Sequence, residues 1–204
     1  EVVKMGNVVA RQSGAWGEEA KTDENDRICL RIADFDYDNL RFKKNIKYTI
    51  RNYNNVVIER TLLENGDILI EKSGGGEKTP VGRAVLFDME IEALFANFMD
   101  RLRVLGNHSP NYITYFFHYF YVSNLIWLYI KQTTGLQNLD LDGLLHNEYF
   151  FLPPLSEQRE IVSYLDAKVS EINKLIKVYE DEIENVKKYK NSLVSAVVTG
   201  QIAV

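Results

Sequence analysis

From residue 153 to residue 200 the chain reads PPLSEQREIVSYLDAKVSEINKLIKVYEDEIENVKKYKNSLVSAVVTG, and the architecture turns on this stretch. After Pro153-Pro154 neither proline nor glycine recurs until Gly200. Ser156 is placed to cap a helix, with Glu157 in its first turn, where a negative charge meets the positive end of the helix dipole. Apolar residues then recur at alternating spacings of three and four. One seam position carries Val162, Val169, Ile176, Ile183, Lys190 and Val197, and the other carries Leu165, Ile172, Tyr179, Val186 and Leu193. A straight helix drifts away from a seven-residue repeat, so a repeat held this long implies supercoiling against another long helix. A helix of ~40 residues at ~1.5 Å per residue spans about 60 Å, more than a small domain can cover. Packing back on its own domain is the competing reading.

Upstream of Pro153 the pattern differs. Short apolar runs at Ile28–Ile32, Val56–Ile58, Asp67–Ile70 and Ala84–Phe87 alternate with turn-formers, which predicts short strands joined by loops. One helix is expected to interrupt them, with Ser109 as its cap and Pro110 at the first helical position, where a missing N–H costs nothing. The aromatic run Tyr112, Tyr115, Phe116, Tyr119 and Phe120 has helical spacing and reads as core packing, because a continuous aromatic face is usually buried. The expected fold is therefore α+β: a β-rich globular domain over residues 1–152, then a long helix over residues 153–204 that forms a coiled coil, which the family resemblance given below makes antiparallel.

A chain of 204 residues, 46% hydrophobic and 26% charged, has ordinary globular composition. Cys29 is the single cysteine, which excludes a disulfide framework, and His108, His118 and His146 are too scattered to complete a zinc site with it. No metal or other cofactor is expected. No basic-then-apolar leader opens the chain, and the apolar stretch Tyr112–Ile130 is broken by His118, Ser123 and Asn124, so a cytoplasmic protein without a membrane segment is expected. The net charge of −5 argues against a protein that coats nucleic acid. Yet from Asn39 to Ile58 there are five basic residues, Arg41, Lys43, Lys44, Lys47 and Arg51, and no acidic one. A positive strip fits on an acidic molecule.

Catalytic motifs are weak. Ser73-Gly74-Gly75-Gly76-Glu77-Lys78-Thr79 looks like a phosphate loop but has Glu77 where glycine should precede the Lys-Thr pair, and Pro80-Val81-Gly82 where a helix should start. Its lysines and exposed N–H groups suit a DNA backbone or simply a hairpin. Asp34, Asp36 and Asp38 read as a charged loop, since a metal needs further ligands close by.

The segment Tyr149-Phe150-Phe151-Leu152-Pro153-Pro154-Leu155-Ser156-Glu157-Gln158 resembles the junction between a target-recognition domain and a spacer helix in type I restriction-modification specificity subunits. Ser13-Gly14-Ala15-Trp16-Gly17-Glu18-Glu19, Gly66–Gly74, Thr134–Leu139 and the closing Ser195–Ile202 are similar to that family in the same order. The resemblance implies a subunit without catalysis of its own. It reads one half of a split target on double-stranded DNA and positions methyltransferase subunits, and a motor-nuclease subunit joins through the complex. Such subunits hold two recognition domains and two antiparallel spacer helices, whereas this chain has one of each. It is either a fragment, toward which a start at Glu1 leans, or a half-subunit that pairs with a second copy of itself.

Within that frame Arg41, Lys43, Lys44, Lys47, Lys72 and Lys78 are expected on phosphates, because cations position a protein on DNA without reading it. Arg11, Gln12, Lys131, Gln132, Thr133, Gln137 and Asn138 are the candidate base readers, since Arg suits guanine edges and Gln or Asn suit adenine edges. A coiled-coil scaffold without DNA affinity is the main alternative, and a nuclease using the aspartate-rich segment is the more distant one.

Overall fold

The structure is a computed structural model that describes residues 1–76, 78–132 and 135–202. It divides into two compact units, Glu1–Val162 and Ser163–Val204.

The first unit is organised around the run Ile68–Glu71. This strand sits inside a four-stranded antiparallel sheet, between Ala84–Leu86 on one side and Met99–Val104 on the other, with Val9–Ser13 beyond. Ile68 and Ile70 belong to one hydrophobic cluster, together with Val9, Leu86, Ile113, Phe117 and Phe150. Leu69, one residue out of phase, belongs to a second cluster with Val85, Met99, Leu94, Phe95 and Leu30. Successive side chains of a strand point to opposite faces, so a strand covered on both sides reads as an unbroken apolar run. The second cluster is closed by another four-stranded sheet. In it Asp26–Leu30 runs parallel to Ala93–Phe95 and antiparallel to Thr49–Asn52, which also pairs with Glu18–Glu19.

Among the described residues three α-helices lie wholly within this unit, where the sequence pattern indicated one. Helix α1, Asn55–Thr61, occupies the run Val56–Ile58 that was expected to be a strand. Its cap decides the matter: the Asn54 side chain accepts a hydrogen bond from Val57 N–H at 2.9 Å, which outweighs the β preference of two valines and an isoleucine. Helix α2, Pro110–Val122, starts as its sequence requires, with the Ser109 hydroxyl accepting from Tyr112 N–H. Of the aromatic stripe, Tyr112 and Phe120 are buried, Tyr115 and Phe116 are half-buried, and Tyr119 is exposed; Phe117, one position off the stripe, is in the core. Helix α3, Leu141–Asn147, is capped by Asp140, whose carboxylate accepts from Gly143 N–H.

Helix α4, Leu155–Val198, is 44 residues long and continues from the first unit into the second. It begins one residue before Ser156, so Ser156 lies inside the first turn instead of capping it, and the first intrahelical bond runs from Gln158 N–H to Pro154 O. Val162 was assigned to the helix–helix seam. It is instead buried in the first unit's core with Tyr112, Phe150 and Leu152, because the opening turns of α4 are part of that unit. In the second unit Ile172, Ile176, Tyr179, Ile183, Val186, Lys190 and Leu193 are exposed, and Leu165, Val169 and Val197 are partly covered. No helix among the described residues is long and apolar enough to cross a membrane.

Candidate nucleic-acid interface

Two groups of sequence-predicted residues come together on the first unit. The first forms around a small three-stranded sheet in which Gln137–Leu139 pairs with both Ile130–Gln132 and Ser73–Gly74. Through this sheet the glycine-rich loop after Glu71 meets the hairpin of residues 130–139. The Ser73 hydroxyl donates to Asn138 Oδ1 at 2.7 Å, and Asn138 is exposed. Lys131 Nζ donates to Asp140 at 2.5 Å, and that bond, with the Gly143 N–H, holds the Asp140 carboxyl below the usual carboxylate range. Gln132 is exposed and donates weakly to Gly135 O. Lys78 is exposed, while Thr133 lies outside the described residues.

Gln137, expected to read a base, cannot do so in this position. It is 0% exposed, and its Oε1 accepts from Val81 N–H at 3.1 Å. Its amide pins the glycine-rich segment to the hairpin, which is a structural duty that spacing alone does not reveal.

Beside this sheet lies Asp100, also 0% exposed, beneath two cations. Arg11 Nε donates to its Oδ2 at 2.6 Å, and Lys72 Nζ stands 3.2 Å from its Oδ1. Arg11 also pairs with the exposed Asp142. Burial opposes the Arg11 charge, but hydrogen bonds and attraction to Asp142 and Asp100 outweigh it, so the guanidinium is held above its ordinary pKa. Both Arg11 and Lys72 are therefore neutralised by carboxylates. Gln12, next along the strand, turns its amide to Ser13 O at 2.9 Å.

The second group is the basic strip. Arg41 is committed to Asp88, Asn111 and Leu40 O. Lys43 is exposed and caged on a carbonyl, donating to Ala33 O at 2.7 Å. Lys44 and Lys47 are exposed. Arg51 lies 4.7 Å above the Trp16 ring and donates to Trp16 O and Gly17 O. Among the described residues neither Lys43 nor Arg51 has a carboxylate partner, so their charges are available to an outside anion. Arg51 was counted in the strip but not singled out for contact; its aromatic and carbonyl partners lie ~35 residues away in the chain, and no local signal marks them.

Among the described residues no three His, Cys, Asp or Glu side chains gather as a metal site would require. Asp34 is buried and accepts from Arg31 N–H, and Asp36 accepts from Asn39.

Residues 4–185, covering the β-rich unit and most of α4, match the family described as the type I restriction modification DNA specificity domain. The chain belongs to that family. Solved structures of specificity subunits share its fold at low identity. An assembly described as a type I restriction-modification system matches with a TM-score of 0.68 at 18% identity, covering 96% of this chain and 45% of that one. The specificity subunit of Thermoanaerobacter tengcongensis matches with a TM-score of 0.60 at 19% identity, with coverages of 96% and 44%. That of M. genitalium gives 0.55 at 14%, with 96% and 46%. The chain thus spans less than half the length of the structures it matches. Comparison with curated proteins gives no match.

Proposed function

We propose that this specificity-domain chain is the DNA-reading part of a type I restriction-modification assembly, recognising one half of a bipartite target in double-stranded DNA and positioning methyltransferase subunits. The observation that carries this reading is that one family match runs without a break from the β-rich unit into the long helix. A head that reads and a rod that spaces are thereby parts of one inherited module. The exposed cations Lys43, Lys44, Lys47 and Lys78, with the half-buried Arg51, supply phosphate contacts. Asn138, Gln132 and Lys131 sit on the hairpin edge where base edges would be met, whereas Arg11 and Lys72 serve Asp100 first. Catalysis belongs to the methyltransferase and, through the complex, to a motor-nuclease subunit. The seam of α4 pairs antiparallel with a second copy of the chain or with the other half of a longer subunit.

The test is methylation mapping in cells that carry this chain with its methyltransferase. A two-part motif separated by a fixed run of unread bases is the expected result. Methylation that follows no motif, or that is unchanged when the chain is removed, would overturn the reading.

A further inference from the structure

An open cleft of about 370 Å³ lies between Trp16 and Phe98, lined also by Ile32, Ala33, Ala96 and by Arg31, whose guanidinium is paired with Asp34. Its walls are held rigidly. Gly14 N–H donates to Met99 O and Ala15 N–H to Phe95 O, and a side chain at Gly14 would collide with the backbone, since a Cβ there would stand 2.6 Å from Phe95 O. Only glycine lets the chain pass this close and bring Trp16 opposite Phe98. On the other wall Asn97 and Phe98 are the central residues of a tight turn closed by Met99 N–H on Ala96 O, and Phe98 O accepts from both Lys72 N–H and Ser73 N–H. The turn is therefore tied to the start of the glycine-rich segment.

Three features of this cleft point outward. Phe98 is 48% exposed and Trp16 is 40% exposed, although a turn tip ordinarily carries small polar residues. Asn97 is exposed, and its side-chain amide makes no hydrogen bond with any described residue, so it does none of the local bonding that asparagine usually performs in turns. Lys43, on Ala33 O, and Arg51, over Trp16, flank the cleft with positive charge that no described carboxylate offsets.

We propose that this cleft reads an A·T base pair: the apolar pocket receives the thymine C5-methyl, and the Asn97 amide bonds the N6 and N7 edge of the paired adenine. The thymine methyl is the apolar group that duplex DNA projects into its major groove, and adenine is the base that presents a donor and acceptor matched to an asparagine amide. A concave apolar wall beside a free amide answers both halves of one base pair. Flanking cations whose hydrogen bonds go to carbonyls keep their charge for the phosphates on either side. An acidic protein is the other occupant the charge would permit, and the experiment separates the two.

This inference rests on the DNA-reading function proposed above. The complex of the chain with its methyltransferase is titrated with duplexes bearing the mapped motif, each thymine of the half-site replaced in turn by uracil, which removes only the methyl. One replacement is expected to weaken binding about fourfold, the worth of one buried methyl group. Phe98→Ala should bind the thymine and uracil duplexes alike, and Asn97→Ala should relax discrimination at the same pair on the order of tenfold. Both side chains are exposed, so each variant should melt with the wild type, and Asn97→Ala reports on the site even if Phe98→Ala does not fold. Variants that keep the full thymine preference and the same methylated motif would overturn the inference while leaving the DNA-reading function intact. Loss of methyltransferase association by Phe98→Ala would overturn it in favour of a protein occupant. A wild-type complex without affinity for its motif would overturn the function and the inference together.

Discussion

The side-chain Oε1 of Gln158, in the first turn of α4, accepts a hydrogen bond from the backbone N–H of Ser109 at 2.8 Å, just ahead of α2. Its Nε2 donates to Pro153 O at 2.9 Å, and the residue is 0% exposed. One amide thus satisfies a donor and an acceptor that belong to two different parts of the chain. Gln158→Ala leaves both groups buried without partners, at a cost of about 1–3 kcal/mol for each. Urea denaturation should show that loss, and Gln158→Glu should not restore the wild-type midpoint, because a carboxylate accepts from Ser109 but has nothing to donate to Pro153. A midpoint unchanged in Gln158→Ala would mean that water replaces the amide.

Asp100 is buried beneath Arg11 and Lys72, so neutralising it leaves Lys72 without its carboxylate and Arg11 with only the exposed Asp142. Asp100→Asn is expected to destabilise the first unit by about 1–3 kcal/mol, the cost of hydrogen bonds lost to a charged group where both cations still reach water. Thermal unfolding measures it. Arg11→Met should cost less, since Lys72 still faces the carboxylate; an equal or larger loss in Arg11→Met would mean that Lys72 contributes nothing at 3.2 Å.

Lys43, Lys44 and Lys47 stand on the surface without carboxylate partners among the described residues. Changing all three to alanine in the methyltransferase complex should weaken binding to cognate and unrelated duplexes by similar factors. The slope of log affinity against log salt should fall by about 0.9 for every phosphate contact removed. Equal affinities and slopes would take these lysines out of the interface.

The exposed apolar residues of α4 make a further expectation concrete. Ile176 and Ile183 are half-exposed on one helix face, a placement that water does not favour over so long a stretch. Sedimentation of the purified chain should show a dimer. Ile176→Asp combined with Ile183→Asp should give monomers whose first unit melts unchanged. A wild-type chain that stays monomeric at high concentration would count against self-pairing.

The long helix was legible because its signal is local and repeated: spacings of three and four persist through Leu193, with Lys190 the single charged interruption. The start of α2 was legible for the same reason, as Ser109 and Pro110 stand next to each other. The run Val56–Ile58 misled because three β-branched residues favour a strand and the deciding contact comes from a single flanking Asn54 side chain. At the candidate interface, residue type alone suggested Gln137 and Arg11 as base readers. Their actual partners, Val81 and Asp100, are 56 and 89 residues away. Asn97 and Phe98 carry no signal in the sequence, because an asparagine in a turn is commonplace and the wall opposite them is reached only through the close approach at Gly14.

The strand Ile68–Glu71 is sheathed on both faces, and its chain runs straight on into the glycine-rich segment from Lys72 to Gly76. Amides in that strand should be among the last to exchange with solvent, and the Lys72 and Ser73 N–H groups, both held on Phe98 O, should be protected after them. The segment therefore hangs directly from a strand packed on both faces, with Lys72 the single residue between the two.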